Sequence, residues 1–191
     1  MSPIARAALI LALAVPPAAC VSRPDVPLRT YDFGLAAAPE PGQLSVHVRE
    51  IEAPDWLERT EMLYRLAYRD PRGLEPYSRS HWAGTPASML TLRLRQALGH
   101  VEARSARCVL AIDLEEFSQV FDSERSSRAL LHARASLRQA GGHRPPDLTV
   151  LRLERPAPTP DAAGAAAAFS VLADELTSQL RNWIAGLGYC Q

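Results

Sequence analysis

The sequence contains no lysine: every basic side chain in its 191 residues is arginine, a bias that points to coding preference rather than to function. Neither charge sign is in excess, with 21 basic against 21 acidic residues, so a general affinity for nucleic acid is not implied. No apolar run reaches the ~18–20 residues that a membrane-spanning helix needs. Metal-ligand spacing is missing: there is no H-E-x-x-H, and the three cysteines form no C-x-x-C pair. The histidines His47, His81, His100, His132 and His143 are scattered, and His47 and His132 fall on polar strand faces, where solvation is the simplest role. G-x-S-x-G, G-x-G-x-x-G and the P-loop do not occur, which removes the usual signatures of a serine nucleophile and of a nucleotide site. No cofactor and no metal is expected.

What the chain does have begins with an address. One positive charge, Arg6, precedes the short apolar stretch "AALILALAV", and small residues follow up to Cys20. That is the layout of a signal peptide over 1–19. Pro16 and Pro17 would break a spanning helix there. "PAAC" resembles the lipobox of bacterial lipoproteins, in which the cysteine is diacylated on sulfur and becomes the new N-terminus. Ala18 and Ala19 fit; Pro17 stands where leucine is usual, so plain cleavage nearby remains the alternative. Residues 20–30, with "VSRPDVPLRT", read as a polar, extended, lipid-anchored tether.

The mature domain, 31–191, reads as strands, a helix, three strands and a second helix. "YDFGL" (31–35) is a short strand candidate. "QLSVHVREI" (43–51) alternates, with Leu44, Val46 and Val48 on one face. "APDWLE" suits a single helical turn. "EMLYRLAYRD" (61–70) and "LEPYSRSHWA" (74–83) form a hairpin about the turn "PRG". Over 85–100 the period changes: Thr85 caps, Pro86 starts, and Leu90, Leu94, Ala97 and Leu98 make a helical stripe ended by Gly99. Strands at 107–121, 126–139 and 148–155 follow as a meander. The last helix, roughly 160–187, starts Thr-Pro and carries Phe169, Leu172, Leu176, Leu180, Trp183 and Leu187 along one face. The order implies an α+β fold: a single mostly antiparallel sheet with two main helices packed on one face.

Two cysteines remain once Cys20 is assigned to lipid. An exported chain meets an oxidising space, so Cys108 and Cys190 can form a disulfide; the alternative is a buried thiol at 108 and a loose one at 190. The cluster "DLEEF" (113–117) offers Asp113 and Glu115 on one strand face. Paired carboxylates can do acid–base work, but a cross-strand charge ladder with arginines accounts for them more simply.

The stretch "YRLAYRDPRGLEPYSRSHWAGTPASMLTLRLRQAL", with Tyr64, Tyr68, Tyr77 and Trp82 ahead of Pro86 and a Leu-striped helix, resembles the ABC-type transport auxiliary lipoproteins found with MCE-protein lipid transporters and the paraquat-inducible system. "EEFSQVFD", "ARASLR" and "PAPTPDAAGAAAAF" resemble the later half of that family. The resemblance covers nearly the whole mature chain. It departs at Pro17, at the short link "GHVEARSARC" and at Cys108 with Cys190. It implies a non-catalytic lipoprotein facing the periplasm, a partner in the periplasmic MCE-domain protein of an inner-membrane transporter, and contact with lipid at least through the anchor. Val21, where aspartate would signal inner-membrane retention, favours the outer membrane. The partner surface expected from this reading is the 61–83 hairpin, with Arg65, Arg69 and Tyr77. Two alternatives are a different envelope binding module, such as an activator of cell-wall synthesis, and a secreted hydrolase using the 113–116 carboxylates.

Overall fold

The computed structural model describes residues 27–35, 44–99 and 101–191. The expected signal segment, Cys20, most of the expected tether and the loop expected at 36–42 lie outside the described residues. Among the described residues, seven strands and two helices follow in the order β1 (Arg29–Tyr31), β2 (Val46–Val48), β3 (Glu61–Leu66), β4 (Glu75–Trp82), α1 (Pro86–Leu98), β5 (Cys108–Ser123), β6 (Ser126–Gln139), β7 (Asp147–Pro156) and α2 (Ala162–Leu187). They build one sheet in the order β1-β4-β3-β5-β6-β7, with β2 also on β5.

The spine is β5. Its 16 residues reach about 50 Å at the usual rise per residue, longer than any other strand. Two short strands therefore share one of its edges: β2 pairs with Cys108–Leu110 and β3 with Gln119–Phe121, both in parallel. The β3–β4 hairpin and the β5–β6–β7 meander are antiparallel, while β1 adds to β4 in parallel. The sheet is thus mixed and mostly antiparallel, its parallel pairs joining strands that are not linked by a tight turn.

A bulge in β5 sets which side chains face inward. Leu114 lies opposite Ala133 and Glu116 opposite His132, so Glu115 is an extra residue in the strand. Before it, Cys108, Leu110, Ile112 and Leu114 point into the core; after it, Phe117, Gln119 and Phe121 do. The inward side of β6 is Ala129, Leu131, Ala133, Ala135 and Leu137. Those alanines let α2 approach closely with its own small residues, Ala165, Ala166 and Ala168, before Phe169, Leu172, Leu176, Leu180 and Ile184 fill the wider part. The expected stripe holds as far as Leu180. The step of four then selects Ile184, and Trp183 and Leu187 flank the core.

Both helices start on side-chain caps. Thr85 accepts from the Ser88 N–H at 3.2 Å with Pro86 behind it. For α2 the cap is Asp161 rather than the expected Thr-Pro pair: its carboxylate accepts from Gly164 N–H and from the Thr159 hydroxyl, both at 2.8 Å. A charged acceptor at a helix N-terminus outdoes a neutral hydroxyl. Gly164 is required there, since a Cβ would sit 2.0 Å from the Thr159 carbonyl oxygen. Residues 55–57 form a turn, not a helix, with Leu57 N–H on the Pro54 carbonyl at 2.8 Å and the Leu57 side chain fully buried. Four aromatic rings from separate elements meet at the centre: Trp82 lies 5.6 Å from both Phe117 and Phe169, 5.7 Å from Phe33, and Phe117 stacks on Phe169 at 3.9 Å.

Candidate functional site

With both helices on one side, the opposite side of the β5–β6–β7 meander is left open. Strand register fixes what it displays. One row is Asp113, Arg134 and Val150; the row below is Ala111, Ser136 and Leu148; the row above is Glu116, His132 and Arg152. Leu148 and Val150 are 66% and 56% exposed, large values for apolar strand residues. Glu115, displaced by the bulge, pairs with Arg134 at 2.7 Å. Trp56 borders the same face, where it lines a groove with Pro54, Glu52, Asp113 and Glu115. Exposed apolar residues set among arginines are the composition of a protein-docking surface rather than of a reaction centre.

Three of the four carboxylates here, Glu52, Glu115 and Glu116, are engaged in ion pairs, while Asp113 lies opposite Arg134 in register. Glu115 is held by Arg134, Glu52 by Arg49 at 2.9 Å, and Glu116 by Arg65 at 2.9 Å. Among the described residues, no group of His, Cys, Asp and Glu could hold a metal ion. The Nδ1 of His47 lies 2.9 Å from the Val101 carbonyl oxygen, a contact that ties β2 to the link after α1.

The residues expected to form a partner surface separate into three environments. Arg69 is exposed, 3.5 Å from Glu124 and over the ring of Tyr68. Arg65 is largely covered, pairing with Glu116 and donating to the Arg72 carbonyl at 3.4 Å. Tyr77 turns inward. It packs on Tyr64 with ring centroids 4.7 Å apart, and its hydroxyl donates to Gln119 Oε1 at 2.7 Å. Burial, with a smaller contribution from the charge of Asp161, pushes the Tyr77 phenol well above its ordinary range. The Gln119 amide in turn donates to Ser127 Oγ at 2.7 Å and to the Asp161 carbonyl at 3.2 Å. Tyr77 is thus one end of a buried polar chain leading to the α2 cap. Tyr64 donates to Glu75 at 2.8 Å, and this bond, more than burial, raises its pKa.

Cys108 and Cys190 form a disulfide with Cα atoms 5.6 Å apart, joining the first residue of β5 to the tail behind α2. The Cys190 carbonyl also accepts from Ser45 N–H at 2.7 Å, and Tyr189 donates to Asp147 at 2.5 Å. The C-terminus is therefore bound to β2, β5 and β7 together.

Reasoning from the sequence missed the open-face apolar pair and a buried arginine, Arg93. The signal for the first was present: Val150 beside Leu151 puts apolar residues on both phases of one strand.

The class this fold defines is an α+β domain, one mixed sheet roofed on one face by two helices. Among the described residues no helix is long and apolar enough to cross a membrane. The chain matches the family described as the ABC-type transport auxiliary lipoprotein component over residues 32–181, and it belongs to that family. Membership makes it a transport-associated lipoprotein of the cell envelope. Among solved structures, it is similar to protein XCC0632 from Xanthomonas campestris, of the family-model DUF330. That match has 21% identity and a TM-score of 0.69, over 81% of this chain and 93% of that one. A crystal structure of an uncharacterized protein matches at 12% identity and a TM-score of 0.62, over 85% of this chain and 100% of that one. Both likenesses concern the fold. No match was found among curated protein sequences.

Proposed function

We propose that this chain is a non-catalytic subunit of an envelope lipid transporter. It is anchored through a lipid on Cys20 in the outer membrane and works by docking on the periplasmic MCE-domain protein of an inner-membrane ABC complex. The observation that carries this reading is the family match over 32–181, which ties the domain to ABC transport. The open face supplies a surface for it: Leu148 and Val150 offer area to bury, and Arg134 and Arg152 in the adjoining rows offer charge and register. Arg69 extends the surface at the far end of the sheet; Arg65 and Tyr77 support it from beneath. Tethering by residues 20–30 confines the domain to the space that holds its partner, so a modest intrinsic affinity suffices. A cysteine carrying more than one acyl chain anchors stably, whereas a single chain binds only marginally.

Two measurements test the reading. Mass spectrometry of the mature N-terminus should find an acylated Cys20, and Cys20→Ser should release the protein from membranes. Affinity purification of the lipoprotein after mild cross-linking should recover an MCE-domain protein. Recovery of none, with the lipoprotein intact, sinks the docking claim.

A further inference from the structure

Strand β7 ends the sheet, so one of its edges has no neighbouring strand among the described residues. It is long, 10 residues against the about 5–6 of an average strand, and its register with β6 runs from Asp147 to Pro156 without a bulge. The strand at the other end of the sheet, β1, has 3 residues. Successive residues of a strand turn their backbone N–H and C=O groups to opposite edges. The Ala157 N–H donates to the Ser127 carbonyl of β6 at 2.9 Å, so Thr149, Leu151, Leu153 and Arg155 turn theirs to β6. Leu148, Val150, Arg152 and Glu154 therefore turn theirs to the free edge, and their exposed side chains stand on the open face. Such a row of donors and acceptors is a template for another strand, and native edges are blunted by shortness, bulges, proline or charge. The Leu148–Val150 half of β7 has none of these. In the other half, Glu154 lies 3.0 Å from Arg128 and Arg155 3.4 Å from Glu175, whereas Arg152 makes no ion pair among the described residues.

We propose that the free edge of β7 takes up an extended segment of the docking partner as an added antiparallel strand. Its sequence reads acidic–x–aliphatic–x–aliphatic, with the acid opposite Arg152 and the aliphatic residues opposite Val150 and Leu148. Each opposed pair along such an edge exchanges two backbone hydrogen bonds, and the side chains set side by side select the sequence. Leu148 and Val150 gain apolar cross-strand neighbours, and Arg152 gains the carboxylate it lacks. A second copy of this chain fits the edge poorly. In the antiparallel register that sets Leu148 against Val150, Arg152 meets Pro146, which has no N–H and precedes the strand. The following registers put Leu148 opposite Arg152, then opposite Glu154, and then Arg152 opposite itself. Apolar residues set against charge, or like charges set against each other, oppose pairing. A foreign strand with the complementary order meets neither obstacle. The assignment deepens the docking reading and rests on it for the partner; it adds that the partner is held through backbone groups at the border of the open face.

The test uses the full chain extracted from its membranes, alone and with the MCE-domain protein recovered alongside it, and reads amide hydrogen exchange residue by residue. In the chain alone, the Leu148, Val150 and Arg152 amides should exchange about tenfold or more faster than those of Thr149, Leu151 and Leu153, which β6 holds. With the partner bound, the first three should slow about tenfold or more while the second three change little. Val150→Pro removes one donor from the free edge, where proline is tolerated, and should lower cross-linked recovery of the partner about tenfold or more. Val150→Thr keeps that donor and the branched shape and should lower it about threefold at most. Unchanged exchange at the edge amides in a recovered complex overturns strand addition and leaves docking standing, as does full recovery with Val150→Pro. The exchange comparison in wild type does not depend on how Val150→Pro folds. Slow edge amides in the dilute chain alone mean an edge already covered, and slowing that grows with the chain's own concentration gives the edge to a second copy; either overturns the foreign strand. Wild type that recovers no MCE-domain protein overturns the docking reading, and the added strand falls with it.

Discussion

Cys108 and Cys190 close a loop over a sequence separation of 82 residues and tie the tail of α2 to the buried start of β5. Both are fully buried, and Cys190 also holds Ser45 through its carbonyl. Loop-closure entropy gives a bridge of this span ~4–5 kcal/mol at most, with measured values commonly lower. The double variant Cys108→Ala, Cys190→Ala is expected to lose about 2–4 kcal/mol in chemical denaturation, and a single Cys190→Ala to lose a similar amount. An unchanged midpoint would show that the hydrogen bonds of Ser45 and Tyr189 hold the tail unaided.

Tyr77 separates a surface role from an internal one. Removing its hydroxyl leaves Gln119 Oε1 without a donor inside the sheet, a loss of about 1–3 kcal/mol for a buried polar group. Tyr77→Phe is therefore expected to lower stability by that amount while leaving partner recovery unchanged. Full stability together with lost recovery would restore Tyr77 to the docking surface.

Much of this architecture could be read along the chain, and its limits have physical causes. Alternation at Val46 and Val48, the Thr85–Pro86 start and the Leu90, Leu94, Leu98 stripe are local patterns, and the structure follows them. The parallel placement of β2 and β3 on one edge of β5 is a tertiary choice that no local pattern encodes. The bulge was visible only as the doublet Glu115–Glu116, where the apolar phase moves from Leu114 to Phe117. Tyr77 and Arg65 looked like surface residues because strand spacing does not reveal which polar groups find partners across the sheet. Arg93 was invisible for the same reason: its burial depends on Phe33 and Asp174, both remote in sequence.

The α2 cap makes stability depend on pH. Hydrogen bonds from Gly164 N–H first, and then from the Thr159 hydroxyl, hold the Asp161 carboxyl below its ordinary pKa of 3.8. A carboxyl depressed in the folded state favours folding when ionised, so its contribution is full above the unfolded value and fades as pH falls through the folded one. Asp161→Ala is expected to cost about 1 kcal/mol near neutrality, as for other lost N-caps. Asp161→Asn keeps the cap geometry, so it should match wild type more closely near pH 7 and lose less stability on acidification below about pH 4. Denaturation midpoints across that range check both. Identical acid profiles for wild type and Asp161→Asn would remove the carboxylate from the account.

The open sheet face carries the functional claim most directly. Val150 and Leu148 project from β7 beside Arg134 and Ser136, away from the core, so altering them should leave folding intact. Surface substitutions of this kind usually change stability by less than ~0.5 kcal/mol. At a docking surface the same changes act strongly, because a charge placed on desolvated apolar area, or reversed within a complementary pattern, costs about 2 kcal/mol or more at a hot spot. Val150→Glu and Arg134→Glu are accordingly expected to reduce cross-linked recovery of the proposed MCE-domain partner at least tenfold, with the Val150→Glu denaturation midpoint unchanged and Arg134→Glu losing about 1 kcal/mol because it faces Asp113 and Glu115. Arg152→Glu, further along the same face, should give a smaller loss that grows at low salt. Arg69→Glu, at the far end of the sheet, tests whether the surface extends that far. If Val150→Glu and Arg134→Glu retain full recovery while Arg69→Glu loses it, docking belongs to the end of the β3–β4 hairpin and the open face has another role. If all three retain it, the partner binds elsewhere on the chain.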